Sequence, residues 1–331
     1  MAVLGAGAWG TALANVLAER GESPRLWSWQ SEHAAAVERD RVNREFFPGV
    51  RIADPVHATS DLAEALNEVD LVVLVVPSQA FRETLNRARE VLPPDAALVS
   101  ATKGIENDSL MLMTEVIQDV LGDDSALRSL ALSGPSFAQE VAAGHPTSIV
   151  VASVNRELSI AVRERIATRR LRVYSSDDPV GVEIGGALKN VIAIAAGACD
   201  GLGFGHNTRA ALITRGIAEI SRLAAAKGAD ARTLSGLAGM GDLVLTCTGE
   251  LSRNRTVGFE MGAGRTLDEV LATLGHVAEG VSTAKSAYFL ARRLGVELPL
   301  CTEVYRVLYE GKPPHEAVRD VLNRPLRQES E

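Results

Sequence analysis

The chain has 331 residues, 46% hydrophobic and 23% charged, with 42 acidic against 34 basic side chains and a net charge of −8. Those values describe a packed globular chain long enough for two domains and exclude a disordered one. The acidic balance argues against nucleic acid or an anionic membrane surface as the main partner, although a few placed cations can still hold a small phosphate.

The first half alternates short aliphatic runs with helical patterns. Met1–Leu4, Pro24–Trp27, Leu71–Val76, Ala97–Ala101, Leu130–Ser133 and Ser148–Ala152 read as strands, and Gly10–Arg20, Ser31–Val42 and Ser109–Leu121 as helices. The run Leu71–Val76 is apolar on both faces, as a central parallel strand is. Strand–helix alternation predicts a doubly wound α/β Rossmann-type sheet. From about Val180 the strand signal vanishes, and Gly181–Cys199, Arg209–Lys227, Thr266–Gly275, Ser282–Leu294 and Thr302–Tyr309 read as helices. Pro179 and its preceding aspartates punctuate the change. The expected division is therefore a dinucleotide-binding domain over 1–178 and an all-α substrate and catalytic domain over 179–331. No run reaches the ~20 apolar residues of a membrane span. The N-terminus lacks a basic leader and carries Gly5, Gly7, Gly10 and Asn15, so it does not read as a signal peptide, and the cytoplasm is the expected location. Cys199, Cys247 and Cys301 are far apart and lack metal-ligand spacing, so they read as small core hydrophobes in a reducing compartment, with no metal expected.

Gly5-Ala-Gly-Ala-Trp-Gly10 is a G-x-G-x-x-G between an apolar run and a helical pattern. In that context Gly5 permits the turn, Gly7 lets a pyrophosphate approach the backbone, and Gly10 lets the helix lie close to the sheet. The helix N-terminus then offers amides and partial positive charge to a diphosphate. The second half of the fingerprint is absent. Gln30 sits about where an acid would hold the ribose of NAD, and neither an acid nor an Arg occupies Ser28 to Gln30. The choice between NAD and NADP stays open, and Trp29 reads either as an adenine platform or as a partly buried side chain.

Two later loops end strands at the carboxyl edge, where open α/β sheets bind ligands: Ser100-Ala-Thr-Lys-Gly104 and Ser133-Gly-Pro-Ser136. Ser136 also has a structural reading as a helix N-cap, with Gln139 in the capping-box position. Further on, Glu183–Cys199 has only three polar side chains, Glu183, Lys189 and Asn190. A helix apolar all round is buried. Desolvation there lowers a lysine pKa toward neutrality, which suits a general acid/base, whereas pairing with a buried carboxylate is the structural reading. Ala238–Thr248 reads as a flexible turn leading to Asp242. Ser252-Arg-Asn-Arg255 is a compact donor set that suits a phosphate, or else a solvated turn.

Taken together, Val3–Ala14, Ala101–Gly104, Ser133–Phe137, Gly186–Ala193, Gly241–Thr248 and Ser252–Arg255 resemble the bacterial-type NAD(P)-dependent glycerol-3-phosphate dehydrogenases in order and spacing, over nearly the whole chain. The resemblance implies reversible hydride transfer between NAD(P)H and dihydroxyacetone phosphate, supplying glycerol 3-phosphate for phospholipid synthesis. It implies Lys189 as proton donor and acceptor, with Lys103 and Asp242 beside it. Gly134, Ser136, Ser252, Arg253 and Asn254 match its other substrate contacts. Gly5, Gly7, Ala8, Trp9, Gly10, Trp29, Lys103, Ala138, Arg253, Val277 and Glu279 match its cofactor side. Ala8 stands where the family often has Ser, and Trp29 where many members carry a basic residue. The expected partner is a phosphorylated triose, with neither nucleic acid nor membrane insertion, and the apolar helical half suggests a homodimer. The competing readings are a related two-domain dehydrogenase of a β-hydroxy acid or ketopantoate, and a redox sensor that holds the dinucleotide without turnover.

Overall fold

The structure, a computed structural model, describes residues 1–275, 277–325 and 328. An eight-stranded sheet forms the first half: β1 (Ala2–Leu4), β2 (Arg25–Trp27), β3 (His57–Thr59), β4 (Leu71–Leu74), β5 (Ala97–Ser100), β6 (Ser129–Ser133), β7 (Thr147–Ala152) and β8 (Leu171–Ser176). Its order is β3-β2-β1-β4-β5-β6-β7-β8. The strands β1 to β6 run parallel. The pair β7 and β8 is parallel within itself and antiparallel to β6. Every residue of β1, β4 and β5 is buried, because helices cover both faces. The chain order reverses between β1 and β4, so the crevice outside their carboxyl ends is where a doubly wound sheet takes its ligand.

Two strands lie outside the sequence expectation. The strand β3 has only three residues, one an exposed histidine. The strand β8 alternates buried Leu171 and Val173 with exposed Arg172 and Tyr174, a period-2 pattern on a sheet edge.

The second half is helical among its described residues. Its axis is the helix Pro179–Gly201, opened by Pro179 and capped by Asp178, whose Oδ1 accepts from Gly181 N at 2.9 Å. This helix is long and apolar enough to span a membrane, but 89% of its most apolar window is buried inside the protein. It crosses the helix Arg253–Gly262 at glycines: a Cβ on Gly197 would lie 1.9 Å from Arg255 O, and one on Gly258 1.9 Å from Ile194 O. Only glycine permits that approach. It brings the donor segment that begins at Ser252 beside the lysine helix.

Candidate active site

The site begins at the glycine loop. Gly5 has φ +121°, and a Cβ there would lie 2.7 Å from Val75 O. A Cβ on Gly10 would lie 1.9 Å from Gly5 O, whereas one on Gly7 would meet nothing within 4 Å. The first glycine is therefore closed against the backbone after β4 and the third against the first, while the second faces open space. The helix Ala8–Glu19 starts here with no side-chain cap, leaving its first amides to a ligand. The buried Trp9 Nε1, Ser100 Oγ and Ser133 Oγ have no hydrogen-bond partner among the described residues, and all three stand on this carboxyl-edge side. A cradle of that shape, with orphaned polar atoms, fits a dinucleotide.

Across the edge the helical half delivers charge. Lys189 is buried, and its Nζ lies 2.8 Å from Asp242 Oδ1 and donates to Thr246 Oγ1 at 2.7 Å. Lys103, from the loop after β5, donates to Asp242 Oδ2 at 2.7 Å and to Gly134 O at 3.0 Å. Asp242 is thus shared by two lysines from opposite halves of the chain, and it is 1% exposed. Burial pushes Lys189 down to about 8, with Lys103 adding to that push and Asp242 opposing it. Burial alone would raise the Asp242 carboxyl, but Lys103 and Lys189 outweigh it and hold it below its ordinary value. The sequence left two readings of Lys189 open, general acid/base and buried ion pair; the structure contains the ion pair with Asp242.

Local packing fixes these side chains. A Cβ on Gly186 would lie 2.6 Å from Ser133 Oγ and 3.7 Å from Lys103 Cγ, so the lysine helix presses directly on the strand ends. Ser136 is not the N-cap: Phe137 holds that position before the short helix Ala138–Ala142, and the Ser136 hydroxyl donates to Gly134 O at 2.9 Å. Nor is Ala238–Thr248 a flexible turn. Leu237–Gly241 forms one π-helical turn that runs into the helix Asp242–Thr248. That helix places Asp242 and Thr246 on one face, four residues apart. Thr246 was not anticipated as a site residue, although this i, i+4 spacing from Asp242 was its available signal.

The donor set after it divides. Ser252 caps its helix by accepting from Arg255 N at 3.2 Å. Asn254 donates to Asn190 Oδ1 at 2.9 Å and accepts from Gly280 N at 2.9 Å. Arg255 turns away to Asp200 Oδ2 at 2.7 Å, and Arg209 holds the other oxygen of Asp200. Arg253 is an exposed residue with no hydrogen bond or ion pair among the described residues; burial of its guanidinium lowers its pKa, and Glu279 opposes that shift. Glu279 accepts from Ser78 N at 3.0 Å and Ser78 Oγ at 2.6 Å, tying the helical half to the loop after β4 beside Gly104. Ala138 and Ala8 lie with Trp9 on the sheet core. Val277 is exposed, and Trp29 is 67% exposed, which removes the reading of Trp29 as a partly buried side chain.

Comparison with known proteins places this geometry. A family model described as the NAD-dependent glycerol-3-phosphate dehydrogenase N-terminus matches residues 1–159, and the model of the corresponding C-terminus matches residues 178–319. A protein of Geobacter sulfurreducens named glycerol-3-phosphate dehydrogenase (NAD(P)+) is 52% identical over 327 residues, 99% of this chain and 98% of the relative. One of Geobacter sp. strain M21 with the same name is 50% identical over 329 residues, with the same coverage. The crystal structure of a glycerol-3-phosphate dehydrogenase from Coxiella burnetii superposes with a TM-score of 0.93 at 42% identity, covering 98% of each chain. The chain belongs to the NAD-dependent glycerol-3-phosphate dehydrogenase family.

Proposed function

We propose that the chain transfers hydride reversibly between NAD(P)H and C2 of dihydroxyacetone phosphate, giving sn-glycerol 3-phosphate. The observation that carries this reading is the Lys189–Asp242–Lys103 bridge at the carboxyl edge of the sheet. A bound nicotinamide supplies or accepts the hydride. Lys189, with its pKa brought down to about 8, is poised to give a proton to the C2 oxygen in reduction and to take one from the alcohol in oxidation. Asp242 holds Lys189 in place. Lys103, bridged to the same carboxylate, is placed to stabilise the developing oxyanion. Gly134 and Ser136, on the loop after β6, line the substrate side.

The guanidinium of Arg253, at the N-terminus of a helix capped by Ser252 and braced through Asn254, suits the substrate phosphate. A hydroxy acid or ketopantoate would offer Arg253 a carboxylate in place of a phosphate, so substrate profiling separates these readings, and a sensor without turnover has no use for the buried Lys189–Asp242 pair. The dinucleotide side runs from Gly5 to Gly10 and includes Ala138, Val277 and Glu279. We place the enzyme in the cytoplasm as a homodimer feeding phospholipid synthesis, and read 1–178 and 179–331 as its two domains.

The test follows the absorbance of the reduced nicotinamide with dihydroxyacetone phosphate, comparing NADH with NADPH. Turnover is expected with at least one of them, and Arg253→Ala should raise KM for the phosphorylated substrate about 10- to 100-fold, the loss of one charge-assisted hydrogen-bonding partner. Oxidation of β-hydroxy acids with no reduction of the triose phosphate would overturn the reading.

A further inference from the structure

Asn43 lies outside every segment that the sequence singled out, yet it is completely buried against the glycine loop. Its amide Nδ2 donates to Ala6 O at 2.8 Å and to Thr11 Oγ1 at 2.9 Å. Its Oδ1 accepts from Phe46 N at 3.1 Å and lies 3.0 Å from His33 Nε2. An amide oxygen has no proton to give, so His33 Nε2 carries the hydrogen and donates it. His33 Nδ1 in turn lies 2.9 Å from the Ser28 hydroxyl, within hydrogen-bond distance. His33 and Ser28 are buried as well. Both hydrogens and both lone pairs of the Asn43 amide are used, so its orientation is fixed.

Ala6 O and Gly7 N–H belong to one planar trans peptide, in which the carbonyl and the amide point in opposite directions. Asn43 holds the carbonyl on the inner side. The Gly7 amide is thereby turned away from Asn43, and a Cβ on Gly7 would meet nothing within 4 Å. That amide makes no hydrogen bond among the described residues. We propose that Asn43 is a positioning residue that aims the Gly7 amide at the cofactor diphosphate, with His33 and Ser28 locking its orientation. The proposal rests on the dinucleotide reading of the loop.

Calorimetric titration of the full chain with NADH and with NADPH tests it. Asn43→Asp keeps the shape but sets a carboxylate oxygen against Ala6 O; the expected result is at least tenfold weaker cofactor binding, with a rise in cofactor KM larger than any fall in kcat. His33→Leu frees the Asn43 amide and should weaken binding at least threefold, while His33→Gln, which can donate in place of Nε2, restores it. Thermal melting checks folding, and if Asn43→Asp does not fold, the His33 pair decides. Cofactor affinity within twofold of the parent chain in the folded variants overturns the positioning role. So does an equal loss in kcat and in cofactor affinity, which marks general loosening. A parent chain that binds neither NADH nor NADPH overturns the dinucleotide reading, and the proposal with it.

Discussion

The two ends of the site are built on opposite plans. From Gly5 to Gly10 three glycines keep the backbone bare and the helix that follows has no side-chain cap, so its first amides stay open and almost no charge is present. Around Asp242 three charged groups are brought out of water and held by one another. A diphosphate carries its own charge and needs only shape and N–H groups. A proton relay needs a lysine whose pKa lies near working pH, and burial against a shared carboxylate supplies that. Glu183 sharpens the contrast. It lies on the same helix as Lys189 and is equally buried, but it accepts from the Thr114 amide and hydroxyl beside the Met113 backbone and Glu115, with no cation paired to it among the described residues. Burial pushes it up to about 7, whereas two lysines hold Asp242 below its ordinary value. The partner, not the depth of burial, decides whether a carboxyl stays charged.

The contrast breaks if either end can be disabled through the other. The largest effect is expected at the chemistry end. Lys189→Ala should lower kcat by about 10²–10⁴ while leaving cofactor affinity within about threefold, as read by steady-state kinetics and calorimetry. Unchanged turnover would remove the lysine from the mechanism. At the cofactor end, Gly10→Ala sets a Cβ against Gly5 O and should cost at least about tenfold in cofactor affinity and about 1–3 kcal/mol of stability from overpacking. The smallest effect tests the carboxyl comparison. The folded pKa of Glu183 lies above its unfolded value, so the native state holds the extra proton and stability falls as pH rises from about 4.5 to about 7. Glu183→Gln should flatten that fall and raise the melting temperature at pH 8 by about 2–4 °C, whereas Asp242→Asn should not. Equal behaviour of the two variants would mean that partner charge does not separate them.

What the sequence made legible follows the same division. The glycine loop and β1, β4 and β5 were readable because turn chemistry and apolar runs are local signals. Lys189 was readable because it interrupts a helix that is otherwise nearly all apolar. Much of the rest was set at long range. Nothing near Arg255 says that Asp200, 55 residues earlier, takes its guanidinium and leaves Arg253 alone facing outward. Nothing near Glu279 points to Ser78, 201 residues away. Asn43 sits in a loop with no motif, and its role depends on a peptide plane 37 residues earlier. The strand β8 carried a period-2 pattern that was readable in principle, while three-residue β3 was too short to show one.

The central claim is that Asp242 and burial together set the protonation of Lys189. It is tested most directly by the pH dependence of kcat/KM for reduction of dihydroxyacetone phosphate, from about pH 6 to about pH 10, in the parent chain and in Asp242→Asn. Reduction needs the protonated lysine, so the parent profile should be flat at low pH and fall as pH rises through about 8. Without Asp242, the main group opposing burial and Lys103 at Lys189 is gone, and the fall should move to lower pH. A profile with no fall over this range, or one that moves to higher pH in Asp242→Asn, would contradict the account.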